Sequence, residues 1–162
     1  MYKLKIDFYF KLIFTISLVS IISAYFIEYV LGHQPCNLCL IERIPYGLSI
    51  ILITLNHISK KYEKFIILLL ALIFFFSLLV SFYHFGIEQG FFEESVVCGF
   101  KNTSGVLTKE ELLKQLEVKT INCKDVTFKI FGFSLTTFNI IINLLLAIML
   151  TKMFKNYEII KK

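Results

Sequence analysis

Residues 65–83 read FIILLLALIFFFSLLVSFY and contain no charged side chain. An α-helix rises about 1.5 Å per residue, so about 20 such residues cross the roughly 30 Å hydrocarbon core of a bilayer. Two more stretches have this character: residues 12–31, in which only Glu28 is charged, and residues 130–151, which have no charge. Each of the three stretches is therefore predicted to be a membrane-spanning helix.

A fourth apolar stretch, Ile44–Ile58, is too short to span a bilayer by itself. It reaches the required length if its helix begins near Cys39, which places Glu42 and Arg43 in the first turns, close to one membrane face. We therefore predict a second span over residues 41–58. With this span the sequence predicts an all-α membrane protein, a bundle of four transmembrane helices.

The composition of the chain excludes most other classes. It is 57% hydrophobic and 18% charged, whereas soluble domains are about 45–50% apolar and about 25% charged. Seven Gly and two Pro are too few for a turn-rich β protein or a disordered chain. The net charge of +5 lies in short groups rather than in one basic cluster, so we expect the lipid bilayer and no nucleic acid as a partner. One domain, residues 1–162, accounts for the whole pattern.

The lysines that flank the four spans predict their orientation. Positive charge is retained on the cytoplasmic side of a membrane. This places both termini in the cytoplasm and the loops 32–40 and 84–129 on the outer side, which is the oxidising periplasm if the membrane is a bacterial inner membrane. The ten flanking lysines that fall on the predicted cytoplasmic side are Lys3, Lys5, Lys11, Lys60, Lys61, Lys64, Lys152, Lys155, Lys161 and Lys162.

The long outer loop carries a helix signal of its own. Thr108 and Glu111 have the spacing of a capping box, and apolar residues recur at helical spacing behind them. We predict a short amphipathic helix over Lys109–Val118. Its apolar face rests either on the outer membrane surface or the bundle, or on its own loop, and the sequence does not favour one over the other.

All four cysteines, Cys36, Cys39, Cys98 and Cys123, lie in the two outer loops or at their edges. Such a compartment permits disulfides, and four cysteines allow three pairings. A bridge between Cys98 and Cys123 would contribute roughly 3.5 kcal/mol by loop closure, whereas one between Cys36 and Cys39 would contribute about 1.9 kcal/mol. A Cys-x-x-Cys bridge is thus a poor structural link, but it suits reversible thiol-disulfide exchange.

Polar residues near the outer membrane face add to this redox interpretation. A predicted helix N-terminus at Cys39 and a cation at Arg43, one turn later, would both stabilise a Cys39 thiolate. Arg43, the only arginine, either donates to a thiolate or a carbonyl-bearing ligand or extends to the interface. His84 ends the third span and either serves a ligand near Cys39 or is merely interfacial. Glu28 either pairs with Arg43 or reaches outward.

The main alternative is a zinc site. Cys36 and Cys39 have the spacing of half a zinc site, which Cys98 and Cys123 would complete, and two inert disulfides are also conceivable. Zinc sites normally contain a second close pair, whereas Cys98 and Cys123 are 25 positions apart. The spacing favours redox chemistry, and we assign no metal ligands.

Four segments of the chain carry a recognisable pattern: PCNLCLIER at 35–43, YHFGIEQG at 83–90, the pair Cys98 and Cys123, and FGFSL at 131–135 followed by Asn139. Together they resemble the DsbB family of membrane disulfide-generating proteins. The match in the first cysteine motif is moderately specific, and its combination with a second cysteine pair and four spans is strongly so.

This resemblance implies a route for electrons. They would come from a periplasmic DsbA-like thioredoxin-fold oxidase, whose thiolate attacks Cys98 to form a mixed disulfide, with Cys123 as the bridge partner of Cys98. Cys36 and Cys39 would reoxidise that pair by exchange. The final acceptor would be a membrane quinone, either ubiquinone or menaquinone.

The resemblance also implies a quinone site. Cys39 would face the quinone ring as a thiolate, and Arg43 would stabilise its charge and polarise a quinone oxygen. His84 matches a family position near the quinone, and Glu42 completes the predicted cofactor-binding set.

Two rival functions remain open at this point. An enzyme of the vitamin K epoxide reductase type also combines four helices, a Cys-x-x-Cys motif and a quinone, although its motif lies late in the chain rather than before the second span. The other rival is a membrane scaffold or metal-handling protein whose cysteines are structural links or ligands.

Overall fold

A computed structural model of the chain describes residues 2–93, 98, 123–124, 128–130 and 132–161. Within these residues the chain is almost entirely helical, with one small hairpin before the last helix. The amphipathic helix predicted at 109–118 lies outside the described residues. The elements are α1 (Tyr2–Tyr29), α2 (Asn37–Ile41), α3 (Ile44–Ile58), a 3-10 turn (Lys60–Tyr62), α4 (Glu63–Glu88), β1 (Lys129–Ile130), β2 (Phe133–Ser134) and α5 (Leu135–Lys161).

Four helical segments are long and apolar enough to cross a membrane. The predicted all-α class and four-helix membrane bundle are therefore confirmed. The segments differ in extent from the spans predicted at 12–31, 41–58, 65–83 and 130–151, chiefly because charged and polar end residues continue the helices. They are Ile6–Tyr29, Asn37–Ile58, Lys60–Glu88 and Leu135–Tyr157.

The second segment is two helices in succession rather than one. Pro45 occupies the first turn of α3 and has no N–H to donate to the carbonyl of Ile41, so the α-helical ladder of α2 ends there. The N–H of Arg43 instead donates to the carbonyl of Leu40, at 3.2 Å. This break lets the neighbouring side chains of Glu42 and Arg43 diverge toward different helices.

The fourth span begins later than its predicted start at residue 130. Residues of β1 and β2 pair antiparallel, with Lys129 opposite Ser134 and Ile130 opposite Phe133. Gly132 in their connection has a φ of 86°, a left-handed conformation that favours glycine. The hairpin uses the first apolar residues of this stretch, and α5 therefore starts at Leu135.

The apolar core lies at the end of the bundle that holds the helix termini near residues 6 and 153. Helices α4 and α5 form the most extensive contact, α1 packs on α3, and α3 packs on α4. An exposed ion pair between Lys60 and Asp7, at 3.3 Å, joins the α3–α4 connection to α1 at this end. The buried residues of this core are Ile6, Phe10, Ile13, Tyr46, Ile53, Ile66, Ile67, Leu70, Phe74, Leu146, Leu150 and Met153.

Candidate active site

Cys36 and Cys39 face each other across the first turn of α2. Cys36 is the N-cap residue, and its Sγ accepts a hydrogen bond from the backbone N–H of Cys39 at 3.3 Å. The two Sγ atoms lie 2.6 Å apart, and a disulfide bond is about 2.05 Å long. Cys36 is buried and Cys39 is half-buried. The pair can thus interconvert between dithiol and disulfide with little movement of the chain.

The second cysteine pair lies directly against the first. Cys98 and Cys123 form a disulfide with a Cα–Cα distance of 5.4 Å, which leaves one of the three pairings that the sequence allowed. Both residues are buried in one cluster with Cys36, Leu38 and Ile87, and Cys39 packs on this cluster. Thiol-disulfide exchange between the pairs therefore needs no large displacement.

His84 connects Cys36 to Glu42. It is 1% exposed on α4, with Nε2 3.5 Å from the Sγ of Cys36 and Nδ1 3.1 Å from Oε1 of Glu42. A carboxylate only accepts hydrogen bonds, so Nδ1 carries a proton, and Nε2 can take the proton of the Cys36 thiol and then face the thiolate as part of an imidazolium. Cys36, His84 and Glu42 thus lie next to one another as a nucleophile, a base and a group that orients the base.

The carboxylate of Glu42 is held by a polar network inside the bundle. Its Oε2 accepts a hydrogen bond from Nδ2 of Asn139 at 2.9 Å. The Oδ1 of Asn139 accepts one from the Tyr46 hydroxyl at 2.5 Å, and Tyr46 also donates to Asn143 at 3.2 Å. Both asparagines donate to the hydroxyl of Ser81. These contacts fix the orientation of Glu42 and, through it, the tautomer of His84.

A second carboxylate lies on the other side of the imidazole. Oε1 of Glu88 is 3.7 Å from Nε2 of His84, and the side chain of Glu88 is 6% exposed. The Thr136 hydroxyl donates to the same Oε1 at 2.5 Å, and its oxygen lies 3.3 Å from Nδ1 of His84. Oε2 of Glu88 has no hydrogen-bond partner among the described residues.

The hydrogen bonds favour Cys36 as the thiolate of the pair, because Cys36 accepts from the N–H of Cys39 and lies 3.5 Å from Nε2 of His84, whereas the sequence predicted a Cys39 thiolate. Cys36 precedes the second membrane-spanning segment, and its pKa is lowered well below the ordinary 9.0. The largest cause is the hydrogen bond from the Cys39 thiol; burial opposes it, and the hydrogen bond and charge of His84 and the N–H of Cys39 add to it. The predicted helix start near Cys39 was wrong, because the helix begins at Asn37, which makes Cys36 the capping residue.

Arg43 projects away from Glu42 toward α1. Its Nη1 donates to Oε2 of Glu28 at 2.5 Å, and its guanidinium carbon lies 5.1 Å from the centre of the Tyr25 ring. Of the two alternatives for Glu28, pairing with Arg43 is therefore the one observed. This ion pair places the Arg43 guanidinium, with its charge neutralised by Glu28, at the edge of the site.

A cavity of about 340 Å³ brings the predicted site residues together. Its polar end is formed by Cys36, Cys39, Glu42, Arg43 and His84, and Cys123 also lines it, whereas Cys98 is not among the lining residues. The remaining wall is mainly apolar and comes chiefly from α1, α5 and the residue before β1, and residues 33–35, Tyr46 and Glu88 also line it. The apolar lining includes Val19, Ile21, Ala24, Ile27, Phe128, Leu135, Phe138 and Ile142.

Sequence reasoning missed several members of this site. Tyr46, Ser81, Thr136 and Asn143 were not singled out, and Asn139 was noted only as part of a resemblance. Their one sequence signal is polarity inside uncharged apolar stretches, as at Asn139 and Asn143, which are one helical turn apart. Which helix they face is a tertiary property that this signal does not contain.

Comparisons with known proteins agree with this site. The model of the family described as "Disulfide bond formation protein DsbB" matches residues 7–153, which include every described site residue. An uncharacterised protein of Rickettsia prowazekii (strain Madrid E), RP370, is 30% identical over 138 residues, covering 84% of this chain and 80% of the relative. No solved structure matches the chain.

Proposed function

The chain belongs to the DsbB family of disulfide bond formation proteins, and we propose that it reoxidises a periplasmic DsbA-like thioredoxin-fold oxidase and passes the electrons to a membrane quinone. Membership establishes a multi-pass membrane oxidoreductase of disulfide-bond formation. The finer proposal rests on one observation: two cysteine pairs share a buried cluster, and one of them opens onto an apolar cavity.

Electrons would move through the cysteines by two exchanges. The partner's thiolate attacks Cys98, which breaks the Cys98–Cys123 bond and forms a mixed disulfide; the second thiol of the partner resolves it and leaves both cysteines reduced. This dithiol then reduces the Cys36–Cys39 disulfide and becomes a disulfide again. The close packing of the pairs supports the second exchange, because Cys36 and Cys123 belong to the same cluster.

The cavity fits a quinone. Its volume of about 340 Å³ lies within the roughly 300–1,000 Å³ usual for small-molecule sites, and its apolar wall suits a ring and an isoprenoid chain. When bound, a quinone accepts the two electrons and two protons that the thiols release as they form a disulfide. The guanidinium of Arg43 has five N–H donors, of which Glu28 takes one at Nη1, so others can reach a carbonyl oxygen in the cavity.

His84 and Glu42 would manage the proton of Cys36. Nε2 of His84 takes the thiol proton, Glu42 stabilises the imidazolium through Nδ1, and Asn139 keeps Glu42 in place. Cys39, half-buried and open to the cavity, is placed to face the ring, while Cys36 supplies the sulfur that closes the disulfide. The two protons stay within the site, because quinone reduction consumes as many as the thiols release.

The direct test combines purified protein, a reduced DsbA-like partner and ubiquinone or menaquinone, and follows quinone reduction. We expect partner-dependent turnover that His84→Ala slows. His57 is exposed at the opposite end of the bundle, so His57→Ala is a matched control that should retain activity. Turnover of vitamin K epoxide without any partner would instead favour the reductase alternative.

The same proposal places the cysteine end of the bundle in the periplasm and both termini in the cytoplasm. A cysteine introduced at Lys61, in a variant whose native cysteines are serine, should not react with an impermeant maleimide in intact cells. It should react after the membrane is permeabilised. Efficient labelling of intact cells would reverse the topology.

A further inference from the structure

The dithiol of Cys36 and Cys39 has a third metal-binding donor beside it. The two Sγ atoms and a ring nitrogen of His84 lie within 4.8 Å of one another. Thiolate and imidazole are the ligands that Zn²⁺ prefers, and Cys₂His sets occur in zinc enzymes. Sequence analysis assigned no metal ligand because it sought the missing donors at Cys98 and Cys123, which instead bond to each other.

Glu88 lies beside the open side of this three-donor set. Its Oε1 lies 3.7 Å from Nε2 of His84, the nitrogen that faces Cys36, and it lines the same cavity. Its Oε2 lacks a hydrogen-bond partner among the described residues although the side chain is 94% buried, being 6% exposed. A buried carboxylate oxygen without a partner is costly, and a cation would satisfy it.

The distance between Cys36 and His84 already fits a tetrahedral site. With Zn–S bonds of about 2.3 Å and a Zn–N bond of about 2.0–2.1 Å, the sulfur–nitrogen edge is about 3.5 Å. The observed distance from Sγ of Cys36 to Nε2 of His84 is 3.5 Å. The 2.6 Å between the two sulfurs must open to about 3.8 Å, which side-chain rotation can provide.

Glu42 lies where the hydrogen-bond partner of a metal-binding histidine would lie. Histidines that bind metals usually donate their other ring nitrogen to a carboxylate, which orients the ring and raises its basicity. Nδ1 of His84 makes this contact with Glu42 at 3.1 Å, and Asn139 holds the carboxylate from behind. The imidazole is therefore oriented for a metal at Nε2 before any metal binds.

We propose that the reduced chain binds one Zn²⁺ through Cys36, Cys39 and His84, with the fourth position left to a water next to Glu88, and that the metal holds the dithiol reduced and stops turnover. Binding replaces the two thiol protons by one divalent cation, and no electron is transferred. A disulfide offers no thiolates, so the site exists only in the reduced state. Oxygen-only cations such as Mg²⁺ and Ca²⁺ should not compete, because two ligands are sulfur. The block of turnover rests on the proposed function, whereas binding does not.

The test measures Zn²⁺ binding to the full-length protein in detergent against a chromophoric chelator, with Co²⁺ as a spectroscopic probe. The protein carries Cys98→Ser and Cys123→Ser, so that reduction exposes only Cys36 and Cys39. We expect one Zn²⁺ per reduced chain, a thiolate-to-Co²⁺ charge-transfer band with tetrahedral visible bands, and no binding after oxidation. No binding by the reduced chain would overturn the proposal.

Variants separate this site from a simple dithiol. His84→Ala should weaken Zn²⁺ binding most, and Glu88→Gln, which removes a nearby negative charge, should weaken it less. Glu42→Gln, which touches no metal but orients His84, should weaken it by about 10–100-fold. His57→Ala should change nothing. Equal affinities in all four variants would mean that only the sulfurs bind, and would overturn the assignment of His84.

Inhibition is measured separately on the wild-type chain. Zn²⁺ should stop partner-dependent quinone reduction, and a chelator should restore it. Binding with full turnover in saturating Zn²⁺ would contradict the block. Binding by a chain that reduces no quinone even without metal would instead refute the proposed function and leave the metal site standing.

Discussion

The two ends of the bundle are built on opposite principles. At the end with the termini, side chains such as Ile67, Leu70 and Leu150 are fully buried and interlock without a polar contact. At the other end, His84 and Asn143 are equally buried but meet their neighbours through directional hydrogen bonds. Apolar packing tolerates small shifts, whereas a hydrogen-bonded site does not. The first end holds the helices together, and the second positions the chemistry.

The two ends of the bundle should also contribute differently to stability and to activity. Within lipid, helices associate through close packing, and a single interhelical hydrogen bond contributes only about 0.6 kcal/mol on average. Ionisable residues inside a membrane are costly and mark functional sites. Changes at the cysteine end should therefore reduce activity more than stability, and changes at the apolar end should do the reverse.

The largest effect is expected from the inner cysteines. Cys36→Ser and Cys39→Ser should each abolish partner-dependent quinone reduction, because neither leaves a disulfide to exchange. The four-residue loop adds little stability by loop closure, so thermal unfolding in detergent should change little. Loss of activity together with general unfolding would indicate a structural bridge instead.

His84→Ala should come next, with turnover reduced by about 10²–10⁴-fold as for loss of a general base. It should also raise the Cys36 pKa, since it removes a hydrogen bond and a positive charge that lower it. Because the Cys36 pKa is lowered in the folded protein, the stability that its thiolate gives the reduced chain is fully present above pH 9. This stability is lost as the pH falls through the folded pKa.

The alkylation rate of Cys36 tests this directly. Mass spectrometry of the reduced protein after brief iodoacetamide treatment should show Cys36 reacting at a rate that stays high well below pH 9 in the wild type. In His84→Ala, the pH at which the alkylation rate of Cys36 falls should be higher by about one unit or more. Identical pH profiles would separate His84 from the Cys36 thiol.

The apolar end should respond in the opposite sense. Leu70 is fully buried, and Leu70→Ala should lower the free energy of unfolding by about 2–5 kcal/mol while kcat for quinone reduction stays near wild type. The measurement is denaturation in detergent beside turnover at a temperature where both proteins are folded. A large loss of kcat with unchanged stability would break the contrast between the two ends.

The sequence predicted the four-helix bundle better than it predicted the arrangement of the site residues. Four apolar stretches sufficed for the bundle, because lipid requires long helices whatever their partners. The break at Pro45 and the hairpin before Leu135 shifted the starts of α3 and α5. The start of α2 at Asn37 left Cys36 rather than Cys39 as the capping residue. The pairing of Arg43 with Glu28 was one of two stated alternatives. The contact of His84 with Cys36 was not foreseen, because it joins residues 48 positions apart.

Substitution of Arg43 is expected to have the smallest effect on activity, and that effect should be confined to quinone binding. Its guanidinium pairs with Glu28 and contacts the Tyr25 ring, and it lines the cavity beside Cys39. Arg43→Lys keeps the charge but replaces a planar set of donors by one mobile ammonium, so quinone should bind less well. We expect a higher KM for quinone, about tenfold, with the partner's exchange at Cys98 nearly unchanged, as the loss of one charged hydrogen bond of about 1.5 kcal/mol predicts.

Glu28→Gln separates the charge of this arginine from its position. The amide keeps a hydrogen-bond acceptor for Nη1 but removes the negative charge, so Arg43 stays in place as an uncompensated cation. If charge at the cavity assists quinone reduction, Glu28→Gln should match or exceed the wild-type rate while Arg43→Lys falls below it. If both variants lose quinone affinity equally, the ion pair serves to hold α1 against the site. Unchanged quinone kinetics in both would make Arg43 an interfacial anchor and remove it from the quinone site.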